Sequence, residues 1–182
     1  EAIKKGIALL KNVPGRLERI GGKYGEQIFV DYAHTDDALR RVLQNLAAFK
    51  KARLITVFGC GGDRDRGKRP LMGEAATGLS DLTIVTSDNP RTEEPLVIIA
   101  EIESGIHKQR ISRIEPDDLH LSGERKAYTV IPDRKTAIEK AISVAERSDI
   151  VLIAGKGHED YQIIGTKKIF FDDRVIAAET LK

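Results

Sequence analysis

Four short segments concentrate the residues able to do chemistry. The first is Asp31-Tyr32-Ala33-His34. An acidic residue at a strand end can accept hydrogen bonds from ribose hydroxyls, as it does in nucleotide-binding folds. His34 suits either a phosphate contact or a helix-capping role. The second segment runs from Gly59 through Cys60, Gly61, Gly62, Asp63, Arg64, Asp65, Arg66, Gly67 and Lys68 to Arg69. Its glycines free the backbone for tight turns and close approach to a ligand. Its four cationic side chains outnumber its two carboxylates. Such a loop before a helix suits phosphate or carboxylate groups, although charge runs are often solvated faces. It is not a P-loop, because Lys68 is followed by Arg69 rather than by the Ser or Thr that would hold Mg²⁺.

The third segment, Asp88-Asn89-Pro90-Arg91, puts a carboxylate, an amide and a guanidinium within one turn. Asn with Arg can hold a carboxylate, and acidic neighbours can hold an ammonium. The same residues also suit a plain Pro turn that starts a helix. In the fourth, Gly155-Lys156-Gly157-His158-Glu159, backbone N–H groups and Glu159 could bind an amino-acid zwitterion. The competing reading is a flexible strand exit. Arg16, after Pro14-Gly15, suits a phosphate contact or an ordinary surface position. Cys60 has no Cys or His at metal-ligand spacing and is read as neither metal ligand nor nucleophile; no metal site is expected.

The elements that must carry these segments follow from hydrophobic patterning. The apolar runs 54–58, 82–86 and 150–154 read as buried parallel strands, with 27–31 and 127–131 as further strands. Helices are expected over 36–50, 69–79, 93–106, 134–147 and 173–181. Thr35 is placed to cap the first of these, with Asp36 and Asp37 complementing its dipole. Residues 161–164 and 168–171 suggest a hairpin, 107–125 a loop, and 3–11 the end of a helix broken by Val13-Pro14-Gly15. Alternating strands and helices give the fold class as α/β, a Rossmann-like three-layer sandwich with a mostly parallel sheet and a C-terminal β-hairpin. In an open parallel sheet the C-terminal strand ends share one edge, where ligands bind. The four segments all follow strands, so they are expected to converge on one cleft.

Composition narrows the classes. The 182 residues suffice for one substantial domain, and 41% hydrophobic with 32% charged residues is ordinary for a globular chain. A net charge of +2 with no Trp argues against nucleic acid and against a charged membrane as partner. The single cysteine allows no internal disulfide and suits a reducing compartment. No apolar run approaches the ~20 residues needed to span a bilayer. The chain opens on Glu1 inside a helix-like pattern and is read as a piece of a longer protein.

Five motifs in order carry a resemblance. Pro14-Gly15-Arg16-Leu17-Glu18, Asp31-Tyr32-Ala33-His34-Thr35, Gly59 to Gly73, Thr86 to Pro95 with its Asp88-Asn89-Pro90-Arg91, and Gly155 to Gln162 resemble the C-terminal domain of the Mur ligases, in their diaminopimelate-adding branch. The likeness runs from about residue 13 to the end. It implies residues 1–15 as the tail of a central ATPase domain and 16–182 as the amino-acid-binding domain.

The implied activity is an ATP-dependent ligase of peptidoglycan synthesis, cytoplasmic and monomeric. It adds meso-diaminopimelate to UDP-N-acetylmuramoyl-L-alanyl-D-glutamate, with ATP and Mg²⁺ held mainly by the central domain. The fragment alone is expected to be inactive. Carried over by position, Arg64, Asn89, Arg91, Gly155 and Glu159 are the implied diaminopimelate contacts; Arg16, Asp31, His34 and Lys68 are the implied ATP contacts. Lysine lacks the distal carboxylate of diaminopimelate, so Arg91 favours the latter. The alternatives are a relative adding lysine or another amino acid, and a free-standing small-molecule-binding module. Asp36 stands where the family usually has Pro, which an acidic first turn should tolerate, and 107–125 is longer than in many members.

Overall fold

The structure is a computed structural model and describes residues 4–6, 13–121 and 126–182. Of the expected opening helix, only residues 4–6 are described, and they are helical. The strands are β1 (Glu18–Gly21), β2 (Gln27–Asp31), β3 (Leu54–Phe58), β4 (Leu82–Val85), β5 (Ser112–Arg113), β6 (Ala127–Val130), β7 (Ile150–Ala154), β8 (Tyr161–Ile164) and β9 (Lys167–Phe170). The helices are α1 (Asp36–Phe49), α2 (Lys68–Leu79), α3 (Pro95–His107), α4 (Arg134–Ser143) and α5 (Asp173–Thr180), with a 3₁₀ turn at Pro116–Leu121.

Seven strands form one sheet in the order β1-β2-β7-β3-β4-β6-β5. Only β1 runs antiparallel to its neighbour; β2, β7, β3, β4, β6 and β5 pair in parallel. The strands alternate faces. Leu54 and Phe58 of β3, with Leu152 of β7, meet α1, α2 and α3 through Leu39, Leu43, Met72 and Ile102. Ile55 and Val57, with Val151 and Ile153, meet α4 and α5 through Ile138, Ala141 and Ile176. Both faces of the central strands are therefore covered, which is why those strands read as unbroken apolar runs.

The topology explains the site. From β3 the chain steps outward to β4 and β6, then returns through α4 on the opposite face to insert β7 between β2 and β3. The direction of strand addition reverses there, and such reversals open a crevice at the C-terminal strand ends.

The elements match the sequence expectations closely, with instructive exceptions. Thr35 caps α1 as expected, its side chain accepting from Ala38 N–H at 3.3 Å. Helix α3 begins at Pro95, not Glu93, because the residue before a proline is pushed to extended backbone, as Glu94 is (φ −69°, ψ 124°). Helix α4 stops at Ser143 instead of reaching residue 147. Beyond it, the Glu146 amide is drawn to the Asp149 carboxylate at 2.9 Å rather than to a helical carbonyl. Of the stretch 107–125, residues 122–125 lie outside the described residues; the described part is more than loop, since it carries β5 and the 3₁₀ turn.

Candidate functional site

The C-terminal ends of β2, β7, β3 and β4 lie side by side, and the segments that follow them wall a cleft of about 490 Å³. Arg64, Asn89, Arg91, Gly155 and Glu159 all line it. His34 and Lys68 line it too, on the side of β2 and α2. Residues up to 129 positions apart in sequence, Tyr32 and Tyr161, thus share one cavity. Arg16 and Asp31 fall outside the lining.

The segment after β4 is the most constrained. Arg91 has φ 52°, a left-handed conformation unusual for a residue with a side chain. The β8–β9 hairpin holds it there: Arg91 N–H donates to Ile163 O at 3.1 Å, and Gly165 N–H donates to Arg91 O at 2.7 Å. The Arg91 guanidinium is aimed by the glycine loop, donating to Gly62 O at 2.7 Å. That loop can pass so close only because Gly62 lacks a side chain; a Cβ there would sit 1.9 Å from Pro90 O. Gln162 donates to Asp88 O at 2.6 Å, and Ile163 N–H donates to Asn89 Oδ1 at 3.0 Å. The hairpin is therefore a brace for Asp88-Asn89-Pro90-Arg91.

The glycine loop is braced from the other side. Buried Arg69 donates to Glu93 at 2.8 and 2.9 Å and to Glu101 at 2.7 Å. Arg66 also pairs with Glu101. The Arg69 guanidinium, helped by the Asp63 amide, lowers the Glu93 carboxyl to about 2 against opposition from burial. Arg64 is exposed, lines the cleft and donates to Asp63 O at 2.9 Å.

At the β7 end, Lys156 is wholly buried. Its ammonium lies 3.1 Å from Asn89 Oδ1, 3.2 Å from Glu159 Oε2 and 3.4 Å from Asp88 Oδ1. Asn89 Nδ2 donates to Glu159 at 3.1 Å. The nearby Glu159 charge raises the Tyr161 hydroxyl above its ordinary value, with burial adding to it. Behind Gly155, Arg134 donates to Asp173 at 2.7 and 2.9 Å and to Ala154 O at 3.0 Å, all out of solvent. Burial pushes the Cys60 thiol up to about 12, and it packs against Met72 Sδ at 3.6 Å.

The implied nucleotide residues form a contiguous patch on the flank of this cleft. Asp31 accepts Leu17 N–H at 2.7 Å and Ala33 N–H at 2.8 Å, so it ties the Gly15-Arg16-Leu17 turn to the end of β2. The Arg16 guanidinium sits 5.2 Å from the centre of the Tyr32 ring. The same ring lies 4.6 Å from His34 and 5.2 Å from His158. Lys68 donates to His34 O at 2.7 Å. Gly15 and Gly157 let the two loops touch: a Cβ on Gly157 would meet Gly15 O at 2.7 Å.

Sequence reading missed Lys156, Tyr161, Gln162 and Arg134 as parts of this construction. Lys156 stood inside a recognised segment but was assigned no role of its own. Arg134 and Asp173 are 39 positions apart, and nothing local to either signals the other. Among the described residues, no group of three or more His, Cys, Asp or Glu side chains is placed to hold a metal ion, and no helix is long and apolar enough to cross a membrane.

Comparison with known proteins supports a common origin. Residues 15–157 match the family model described as "Mur ligase, glutamate ligase domain". The chain is 53% identical over 174 residues to the UDP-N-acetylmuramoyl-L-alanyl-D-glutamate–2,6-diaminopimelate ligase of Geobacter metallireducens, covering 96% of this chain and 34% of that protein. A solved structure of a ligase of the same name is 42% identical with a TM-score of 0.78, over 99% of this chain and 34% of that one. A bifunctional folylpolyglutamate synthase/dihydrofolate synthase from Yersinia pestis, complexed with AMPPNP and Mn ion, shares the fold at 17% identity and a TM-score of 0.61, over 86% of this chain and 32% of that one. The chain thus spans about a third of the length of the relatives it matches.

Proposed function

The chain belongs to the Mur ligase family, and from that membership and the cleft we propose that it is the amino-acid-binding domain of an ATP-dependent ligase that adds meso-diaminopimelate to UDP-N-acetylmuramoyl-L-alanyl-D-glutamate in peptidoglycan synthesis. The single observation that carries this reading is the convergence of Arg64, Asn89, Arg91, Gly155 and Glu159 on one cavity. The distal end of meso-diaminopimelate bears a carboxylate and an ammonium. Arg64 and Arg91 offer guanidinium donors to the carboxylate, which such forks recognise with geometric specificity. Glu159, Asp88 and the Gly155 carbonyl suit the ammonium. Lysine would leave both arginines without an anion, so the pocket disfavours it.

The chemistry requires little more of this domain than positioning. In the proposed reaction ATP phosphorylates the D-glutamate carboxylate, and the amino group of the incoming amino acid attacks the acyl phosphate. The new amide bond forms as phosphate leaves. Anchoring the distal end of the amino acid fixes where its reacting nitrogen lies, which makes the attack effectively intramolecular. Arg16, Asp31, His34 and Lys68, flanking the cleft, are assigned to the ATP side. Arg16 and Lys68 supply the positive charge that phosphates require. Asp31 acts there chiefly by holding the turn that carries Arg16.

Among the described residues no group of His, Cys, Asp and Glu is placed to hold a metal ion. Following the family resemblance, Mg²⁺ and the UDP-sugar dipeptide are assigned to the rest of the ligase. Activity in the cytoplasm as a monomer belongs to the same reading. The test is ADP release by the full-length ligase with meso-diaminopimelate, L-lysine and L-ornithine side by side. Turnover is expected with diaminopimelate, at least tenfold above the other two, as the loss of a charge-assisted pair implies. Equal rates with lysine would overturn the assignment.

A further inference from the structure

Lys156 lies behind the cleft, not in its lining. Its side chain is fully buried, yet it carries a charge. Its three N–H donors meet three acceptors: Asn89 Oδ1, Glu159 Oε2 and Asp88 Oδ1. No donor remains for a ligand. A solvent-excluded ammonium with a complete acceptor set orients other groups rather than touching substrate.

Asn89 shows what is being oriented. A carboxamide can be placed in two ways, and its neighbours decide which. The Asn89 oxygen receives the Lys156 ammonium at 3.1 Å and the Ile163 amide at 3.0 Å. Both are donors only, so a flipped amide would oppose donor to donor twice. The NH₂ group must therefore face Glu159, to which it donates at 3.1 Å, and its second N–H is left for the cleft. Lys156 also lies between two carboxylates. Without it, Asp88 and Glu159 would face each other with Tyr161 beside them, the Arg134–Asp173 pair behind and Arg91 across the cleft. Two carboxylates that lose the cation between them repel.

We propose that Lys156 is a positioning residue of the amino-acid site, which locks the Asn89 carboxamide as a donor toward the bound carboxylate and keeps Glu159 and Asp88 together as an anionic seat for the bound ammonium. This rests on the diaminopimelate reading of the cleft, but the orientation of Asn89 is measurable without any ligand.

The experiment is ¹⁵N NMR of the chain, wild type and Lys156→Met, followed by titration with meso-diaminopimelate. In the wild type the Lys156 ammonium protons should exchange slowly and show contacts to the Asn89 side chain. The Asn89 NH₂ pair should be well dispersed. In Lys156→Met that pair should collapse toward averaged shifts, backbone signals remote from the cleft should stay in place, and affinity should fall about tenfold or more, as for a lost charged hydrogen bond. An unchanged Asn89 pair in the variant, or fast-exchanging Lys156 protons in the wild type, would overturn the proposal. The wild-type measurement decides even if the variant does not fold. A wild type with the expected Asn89 and Lys156 signals but no diaminopimelate binding would instead sink the ligand reading.

Discussion

At the scale of single residues, the site is held by charges that have left water but kept partners. Arg69 shows the logic. Its side chain is 0% exposed and braces the glycine loop through Glu93 and Glu101. Removing either partner leaves a buried charge short of a counter-ion, which is costly even where the intact pair adds little net stability. The Glu93 carboxyl sits at about 2 in the fold against 4.5 ordinarily, first because of the Arg69 hydrogen bonds. The folded state therefore binds this proton more weakly than the unfolded state does. The stabilisation is complete above about pH 4.5 and is lost as the pH falls toward 2. Glu93→Gln should accordingly melt at lower temperature than wild type at pH 7, and the gap should close as the pH is taken down through that window. Thermal unfolding at pH 7, 4 and 2.5 measures this; a gap that stays constant with pH would remove Glu93 ionisation from the cause.

At the scale of elements, what positions the chemistry is the pairing of a braced turn with an external hairpin. β8 and β9 lie outside the main sheet, and Lys167–Phe170 is exposed throughout. Yet β8 delivers Gln162 and Ile163 to the turn after β4. The hairpin thus serves that turn more than the core. Gln162→Ala should leave the sheet intact, reduce stability by about 1–2 kcal/mol through one lost buried hydrogen bond, and weaken diaminopimelate binding several-fold. Urea unfolding paired with a binding titration separates the two effects. Weaker stability with unchanged binding would mean that the hairpin does not aim the turn.

Most of these elements were legible in the sequence because strands buried on both faces and helices with one apolar stripe write strong periodic signals. β1 was not, since Glu18-Arg19-Ile20-Gly21 has one large apolar residue and joins the sheet edge through its backbone. β5 is only two residues long.

At the scale of the whole molecule, one topological fact makes the cleft. Inserting β7 between β2 and β3 reverses the order of strand addition and brings the segments after four strands to a single edge. That convergence was legible before the structure, because parallel strands must end on the same side. The anchoring beneath it was not. Lys156, Arg134 and Asp173 act through contacts between residues far apart in sequence, and composition gives no sign of which buried charges will meet. The Arg134–Asp173 pair behind Gly155 and the Arg69 guanidinium beneath the glycine loop are both out of solvent. Arg91 is held on a braced turn with its guanidinium tied to Gly62 O, as discrimination between a carboxylate and its absence would require.

Calorimetric titration of the chain with meso-diaminopimelate and with L-lysine, in wild type and Arg91→Ala, tests that central point most directly. The expected result is wild-type binding of diaminopimelate about one to two decades tighter than of lysine, as a charge-assisted guanidinium–carboxylate pair implies, with most of that gap erased in Arg91→Ala. Equal affinities for the two amino acids in wild type, or a gap that survives loss of the Arg91 guanidinium, would contradict it.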